Sequence, residues 1–529
     1  MRKLVFLFFV FFCAKHSFAQ QQFSVELDEI TIPGFPALHS GAHAELDNKW
    51  IFIGGRNNGL HGFQTANSFP FYGVNNTIYV VDLGTMDIYS YSCDSLSEDI
   101  REAITSSNMQ FFQDGNTLYM QGGYGWKETL QQFVTFTTLT AIDLPGLVNA
   151  VMNGTSITSF FRQVTDEQLA ITGAHMQKLN NKFQIVFGHR FDGTYSHNQV
   201  GNFFTQTYNN SLRSFTINDD GTNLSVSDFT EQTDTNNFHR RDYNLVPQIF
   251  PDRAEGFTAF SGVFQKGINI PYFTTIDINS TGATHVPGFN QNLSQYHSAV
   301  VPLYDSVGNT MHSLFFGGMS MYKLDTVTNA LITDSLVPFV STISKVTRNA
   351  ENTLTEYLLP DSMPGFLGSN AHFIPLPAIE KYDNKVLKLN TISGRTLIGH
   401  IVGGIESPEK NISETDPTVS IASARVFEVY IETSPVSVAE IQVKEPVKLS
   451  VYPNPANDNI TIEINAEGKE NVEVILMNSH GLVIEKYLSQ KSFSGNKKLT
   501  KNIAALPAGL YYVALQTDKF SRAQRLVVK

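Results

Sequence analysis

Apolar residues run along this chain in strand-length bursts, and most bursts end on glycine. Six such ends recur: WIFIGG at Gly54-Gly55, LYMQGG at Gly122-Gly123, QIVFGH at Gly188-His189, TAFSG at Ser261-Gly262, SLFFGG at Gly317-Gly318 and HIVGG at Gly403-Gly404. Several follow an earlier strand and a tight turn, as in GAHAELDNKWIFIGG, FFQDGNTLYMQGG and GAHMQKLNNKFQIVFGH. Asp47-Asn48, Asp114-Gly115 and Asn180-Asn181 supply the turn chemistry there. After each mark come a loop and one or two further alternating strands. The clearest are NNTIYVVDLGTMDIYSYS, FVTFTTLTAIDLPG, SLRSFTIND, YFTTIDINSTG and VFEVYIETS. Four short strands per unit, six times over, predict an all-β chain built as a six-bladed β-propeller. A lone four-stranded unit cannot bury both faces, so the core is expected between units. Glycine at the end of the second strand would let the backbone turn and lie close to its neighbour. The spacings between marks are 68, 66, 73, 56 and 86 residues, and the fourth unit is faint. Five or seven units, or a series of β-sandwiches, stay open.

The far end reads differently. After TSPVSVAEIQVKEP (Thr433 to Pro446), alternation returns in Asn459 to Ile464 and Val472 to Leu476. Ser479-His480-Gly481 reads as a hairpin turn, and Pro507-Ala508-Gly509 as a second turn before a strand. A small C-terminal β-sandwich follows from pattern alone. The expected organisation is a signal peptide at 1–19, the propeller at 20–433, a linker at 434–446 and a terminal domain at 447–529.

Residues 23–433 resemble the kelch family. The unit from Ser40 to Ser92 fits best, with Gly54-Gly55, Tyr79 and Asp82 in kelch-like order. Two departures stand out. The chain has only Trp50 and Trp126, so the family's late-blade tryptophan is missing, and the repeat is longer than the family's usual period. The terminal segment resembles the type A sorting domain of the type IX secretion system of Bacteroidetes. The resemblance rests on Tyr452-Pro453-Asn454-Pro455, Gly481 with Val483, Leu506 to Tyr511, and a basic final strand ending at Lys529. It implies passage across the outer membrane, then usually removal of this domain, with release or surface attachment.

Composition supports export and excludes some partners. In 529 residues, 42% are hydrophobic, enough for a packed core and too scattered for a polytopic membrane protein. Arg2 and Lys3 precede nine apolar residues, Leu4 to Phe12, a run too short to span a bilayer. Ser17-Phe18-Ala19 supplies small residues for cleavage before Gln20. Phe12 ahead of Cys13 argues against a lipoprotein, and no later transmembrane segment is expected. Loss of Arg2, Lys3 and Lys15 takes the formal charge from -12 to -15. That sign disfavours nucleic acid and anionic membrane as general partners. Cys13 leaves with the signal, so Cys93 is alone and reads as a small buried hydrophobe.

The extra length falls mainly after the glycine marks, at 56–76, 189–208, 319–336 and 405–422. In a propeller these loops would crowd one face around the central channel, where function is usually carried. Arg56, His61, Trp126 and Arg190 are the candidate ligand-binding residues there. His189, His197, Arg240, Arg241 and Tyr243 are the candidates for chemistry. Asn58, Gln64 and Asn67 could add neutral hydrogen bonds. His189 takes the place of the second glycine of its mark. His43, His175, His297 and His372, in GAH, GAH, QYH and NAH, read as equivalent structural residues bonding between blades. Arg240, Arg241 and Asp242 read equally well as an ion-pair cluster locking two blades. The eight-residue spacing of His189 and His197 matches no zinc pattern, so no metal or cofactor is implied.

Two functions compete. The first is an exported binding protein whose loops engage a glycan or surface polymer, with the type IX machinery as a second partner through 447–529. Phe63, Phe69, Phe71, Tyr72, Tyr195, Phe203, Phe204 and Tyr208 would stack on sugar faces, or simply pin the loops. The alternative is a polysaccharide lyase on a uronate polymer. Arg240 or Arg241 would neutralise the carboxylate, Tyr243 or His197 would act as base, and His189 as acid. An oxidase of the galactose-oxidase kind would want a cysteine beside a tyrosine near copper, and Cys93 falls in an outer strand.

Overall fold

The computed structural model describes residues 23–62, 68–195, 203–325, 327–328, 330–411, 419–433, 440–443, 445–479, 482–518 and 520–529. The signal at 1–19, His197, Phe63, Gln64 and Asn67 lie outside the described residues. The molecule is all-β, with 55% strand and 7% helix.

Six antiparallel sheets of four principal strands follow one another along the described chain. Sheet 1 is Ala42–Leu46, Lys49–Ile53, Thr77–Asp82 and Asp87–Ser92. Sheet 2 is Gln110–Asp114, Thr117–Gln121, Thr138–Asp143 and Phe161–Thr165. Sheet 3 is His175–Leu179, Lys182–Val186, Ser211–Asp219 and Leu224–Thr233. Sheet 4 is Asn244–Ile249, Glu255–Phe260, Ile276–Asn279 and Gly282–His285. Sheet 5 is Ala299–Asp305, Thr310–Phe316, Thr342–Arg348 and Leu354–Ser362, with two short strands added at its edges. Sheet 6 is His372–Pro375, Arg395–Val402 and Val426–Glu432, and its fourth strand is Ser24–Ile30, from the other end of the chain. Turn chemistry sets the first hairpins. Asp47 and Asn48 both have positive φ, as do Asn180 and Asn181, which is what a two-residue turn matched to strand twist requires.

The core lies between sheets, as a four-stranded unit with two apolar faces demands. Ile51 and Val80 of sheet 1 pack with Leu118 and Ile142 of sheet 2. Leu139 and Ala141 meet Ile185 and Phe215 of sheet 3. Val186 and Leu212 meet Leu245 and Phe257 of sheet 4. Val246 and Phe260 meet Phe315 and Val346 of sheet 5. Val301 and Phe316 meet Ile401 and Phe427 of sheet 6. Finally Ile374 and Val402 of sheet 6 pack with Trp50 and Val81 of sheet 1.

The glycine marks tie this arrangement by backbone. Gly55 N–H donates to Ser106 O (2.8 Å), Gly123 to Ile171 O (3.1 Å) and Gly188 to Arg240 O (3.1 Å). Gly318 donates to Leu367 O (3.1 Å) and Gly404 to Leu38 O (2.9 Å). Each acceptor lies in the segment leading into the next sheet, and for sheet 6 that is sheet 1. Gly317, with φ +64°, sits so close that a Cβ would run into the Leu367 carbonyl. These bonds also correct the register of one mark. Gly188 is the second glycine of its mark and Phe187, with φ +53°, stands for the first, so His189 is the residue after the mark.

Residues 447–529 form a five-stranded sheet, not two separate layers. Asn459–Asn478 is long enough to bend and serve both ends of it, with bulges between Ala466 and Val472. Ile460, Ile462 and Ile464 then face Val474, Leu476, Val513 and Leu515 across a half-barrel interior.

A buried ion pair joins sheets 4 and 5. Arg348, 1% exposed, gives Asp277 two hydrogen bonds of 2.9 and 2.6 Å and reaches Thr258 Oγ1 at 3.2 Å. Removing the cation leaves the Asp277 carboxylate, mostly enclosed, with the Thr258 hydroxyl at 2.6 Å as its remaining donor. We expect Arg348→Ala to cost about 3–5 kcal/mol of unfolding free energy, read by urea denaturation. Gly317→Ala should also destabilise, by at least about 1–3 kcal/mol from backbone strain alone.

Candidate functional site

One residue of left-handed φ stands two positions ahead of the first strand of every sheet: Ser40, Asn108, Gly173, Asp242, His297 and Asn370, with φ from +51° to +63°. Their backbones are linked in series. Asn108 N–H donates to Ser40 O (2.9 Å), Gly173 to Asn108 O (3.1 Å), Asp242 to Gly173 O (2.9 Å) and Asn370 to His297 O (2.6 Å). All of them but Asp242 line the throat of a cavity of about 350 Å³ whose walls come from the first strands of all six sheets. His43, His175 and His372 line that cavity below the throat. His175 Nε2 lies 2.9 Å from the Tyr243 carbonyl of the next sheet. His43 and His372, from sheets 1 and 6, have ring centroids 4.5 Å apart. His175 and His372 hold equivalent places, each opening its strand, whereas His43 stands one residue further along and His297 two residues ahead of its strand. His297 belongs to the throat itself.

Above the throat, residues following the marks bridge to residues just ahead of the throat. These bridges are Arg56 with His39, Tyr124 with Ser107, His189 with Thr172, Val263 with Arg241 and Met319 with Tyr296. The insertions therefore begin at one end of the cavity. His189–Gly193 and Phe204–Tyr208 form a hairpin, as do Tyr124–Lys127 and Gln132–Thr135.

Three side chains meet over Gly173. A Cβ placed there would lie 2.9 Å from Asp242 Oδ1, 3.4 Å from Arg241 Cβ and 3.6 Å from His189 Nε2. Arg241 and Asp242 form a close ion pair, and His297 Nε2 is 3.5 Å from Asp242 Oδ1. Arg241 Nε and Asp242 Oδ1 are buried without a hydrogen-bond partner among the described residues. His189 Nδ1 pairs with Gln206 Nε2 at 2.7 Å. His61 stacks on Tyr195 with centroids 5.1 Å apart.

Burial works to raise the Asp242 carboxyl, but Arg241, helped by His297 and His189, outweighs it and holds the group below the usual carboxylate range. Asp242 in turn overcomes burial at Arg241 and pushes its guanidinium higher. Burial lowers His39 and His189 to about 3 and His61 to about 4, with Arg56 and Arg241 adding repulsion. Burial also lowers His297, against the pull of Asp242. At neutral pH the site therefore offers neutral imidazoles, phenols and one ion pair. Such a set can donate to and accept from a polar ligand. Among the described residues, no group of three or more His, Cys, Asp or Glu is placed to hold a metal ion.

The structure sorts the sequence candidates. His189, Arg241 and His61 come together near the throat. Arg56 is buried beside it, where its guanidinium holds Asn58 Oδ1 (2.9 Å) and Pro70 O (2.7 Å) and so shapes the first insertion. Arg240 and Tyr243 do not join them. Arg240 is fully enclosed and donates to Asn237 O, Ser261 O and Thr274 O, with its guanidinium 4.1 Å over Tyr272. Tyr243 is equally enclosed, and its hydroxyl donates to Val186 O. Both lock sheet 4 to its surroundings: Arg240 is spent on backbone carbonyls, and Tyr243, although it borders the cavity beside His175, commits its hydroxyl to sheet 3. A lyase using Arg240 as carboxylate clamp or Tyr243 as base has lost those groups. Trp126 donates to Glu128 Oε2 and packs on Phe71 and Phe133. Arg190 points to Asp192 and Glu167 at the surface. Sequence reasoning passed over Ser40, Asn108 and Asn370 and took His297 as structural. Their signal was a turn-tolerant residue two positions before each first strand, in HSGA, SSNM, ITGA, RRDY, QYHS and GSNA.

Comparison with known proteins adds one identification. Residues 450–529 match the secretion system C-terminal sorting domain. That domain marks proteins exported by the type IX system to the cell surface or released from it. No helix among the described residues is long and apolar enough to cross a membrane. No curated protein matches the chain. Two solved structures are similar at 10% identity. One is YjhT, at a TM-score of 0.41, covering 75% of this chain and 97% of that one. The other is a fungal alcohol oxidase of the AA5 family in complex with copper, at 0.39, covering 96% and 99%. Neither likeness is close enough to establish a shared fold.

The imidazoles give the site a pH signature. Their folded values lie below the ordinary value of about 6.5, so the fold holds them neutral. Their contribution to stability is full above about pH 6.5 and is lost as pH falls toward 4 and then 3. Thermal unfolding should show the melting temperature dropping over that window. His189→Gln and His61→Gln should each flatten the drop.

Proposed function

We propose that this chain is an exported binding protein: a six-bladed, kelch-like β-propeller over 20–433, a linker over 434–446 and a sorting domain over 447–529, whose loop face engages a glycan or surface polymer. The propeller reading is supported by packing that passes from each sheet to the next and from the sixth to the first.

The observation that carries the binding reading is the throat. Five sheets line it with one such residue each, sheet 4 sets Asp242 against Gly173 beside it, and most of these bear short polar side chains. Arg241 Nε and Asp242 Oδ1 lie buried beside it without hydrogen-bond partners among the described residues. Buried polar atoms left in that state are costly unless a ligand or water meets them. Hydroxyl groups, which donate and accept at once, suit an ion pair flanked by neutral imidazoles.

Aromatic side chains on the same insertions extend the surface. Tyr124, Phe133, Phe191, Phe69, Trp126 and Tyr195 pack on one another and stiffen the loops. Phe71, Tyr72, Phe203 and Phe204 remain exposed, at 58, 72, 37 and 38%. Exposed rings on a braced base are suited to stacking on sugar faces. Catalysis gains no comparable support, since among the described residues no nucleophile and base stand in hydrogen-bond contact at the throat.

A glycan array probed with the purified protein should give hits among neutral or mixed polysaccharides. Asp242→Asn should weaken the best of them at least about tenfold, as loss of a buried charged hydrogen bond does. Replacement of Tyr72, the most exposed of these rings, by Ala should cost about two- to tenfold, without change in melting temperature. An array empty of hits would overturn the glycan reading.

A further inference from the structure

The final hairpin of the sorting domain is buried on both faces. A strand covered on one face alternates, as Asn459–Ala466 does, with Ile460, Ile462, Ile464 and Ala466 inside. In Gly509–Gln516 the five residues from Tyr511 to Leu515 are all buried. Tyr511, Val513 and Leu515 fill the domain's own half-barrel. Tyr512 and Ala514 point the other way and are 1% and 2% exposed.

The body covers that second face. The Tyr512 hydroxyl and Leu510 lie against Gly267, where a Cβ would come within 2.8 and 3.2 Å of them. Tyr322 donates to the Ser521 carbonyl, and its ring stacks on Phe520 with centroids 5.5 Å apart. On the hairpin's other face, opposite Leu515, Arg522 sits 4.7 Å over the Phe273 ring, donates to Asn292 Oδ1 at 2.9 Å and pairs with Glu445 of the linker. Charge is complementary across the contact. On the outer face Arg525 has Asp234 and Tyr272 of the body as its neighbours, whereas Arg522, on the inner face, meets Glu445 of the linker and Glu356, whose carboxyl burial pushes up to about 8. The receiving elements are the insertions after the marks of sheets 4 and 5, the segment 263–273 and the hairpin Tyr322–Asp325 with Ala330–Thr333.

We propose that the outer face of this hairpin, carrying Tyr512, Ala514 and Arg525, is an interaction surface for the secretion machinery, and that the folded body competes for it. The docked tail is a stowed state. A partner that takes this face must present what the body presents, an aromatic surface beside a carboxylate, and must displace the body to do so. The matched sorting domain already requires contact with that machinery. The continuous burial from Tyr511 to Leu515 locates a face that the tail alone would leave in water.

Hydroxyl-radical footprinting of the full chain tests the docking. Tyr512 should label far more slowly than Tyr72, which is 72% exposed. Tyr322→Ala, or Phe273→Ala if the first fails to fold, should raise Tyr512 labelling several-fold. Tyr511 should stay protected, reporting an intact tail. Tyr512 labelling at the Tyr72 rate in the unaltered chain, or protection that survives both substitutions, would overturn it. Export in a host carrying a type IX system tests the competition. Tyr322→Ala should leave at or above the unaltered rate, whereas Tyr512→Glu and Arg525→Glu, with Tyr511 still protected, should be retained. Normal export of both charge variants would show that this face is not read.

Discussion

One backbone hydrogen bond, made again and again, governs this body. At the end of the second strand of a sheet the chain turns through left-handed φ, and the next N–H reaches the carbonyl that leads into the following sheet. The approach leaves no room for a side chain at Gly317. It fixes how far apart neighbouring sheets stand, and therefore how Ile, Val and Phe from each pair interdigitate. Because the bond from Gly404 reaches Leu38, the last sheet is tied to the first in the same manner.

The same geometry produces the candidate site. Tying the second strands of five sheets to the sheet that follows draws the first strands inward, and the residues two positions ahead of them arrive at a common throat. Those positions adopt φ values that favour Gly, Asn and Asp, so they carry short polar groups for conformational reasons before any ligand is considered. Loops leaving the marks start at the same end. Sheets 1 to 3 use theirs to wall the throat with rings and imidazoles, and sheets 4 and 5 use theirs to hold the sorting domain. Phe264 stands between the two regions, its ring 5.6 Å from the Arg241 guanidinium and its N–H 3.4 Å from the Tyr208 hydroxyl.

Local chemistry was legible in the sequence, and long-range placement was less so. Asp47-Asn48 and Asn180-Asn181 announced their turns because a positive φ at both positions selects for such residues. The glycine marks announced close approach. Ser24–Ile30 gave no sign that it completes sheet 6, since its partner strand lies some 400 residues away in sequence. Spacing alone put Arg240 and Tyr243 beside Arg241, but Arg240 turns to the carbonyls of Asn237, Ser261 and Thr274, and after the left-handed turn at Asp242 the Tyr243 hydroxyl goes to the Val186 carbonyl. His189 was misplaced by one position because Phe187 occupies a left-handed site that glycine fills elsewhere. The run Tyr511 to Leu515, apolar without alternation, was a readable sign of a strand covered on both faces, although pattern could not say by what.

The central claim is that the throat built by these repeated bonds is where the exported protein meets its ligand. A crystal structure of the full chain grown with its best-bound oligosaccharide tests this most directly. The account predicts a sugar ring seated over Gly173, with its hydroxyls on Asp242, Arg241 and His297. A ligand resting on another surface, with the throat unchanged from the free protein, would contradict it.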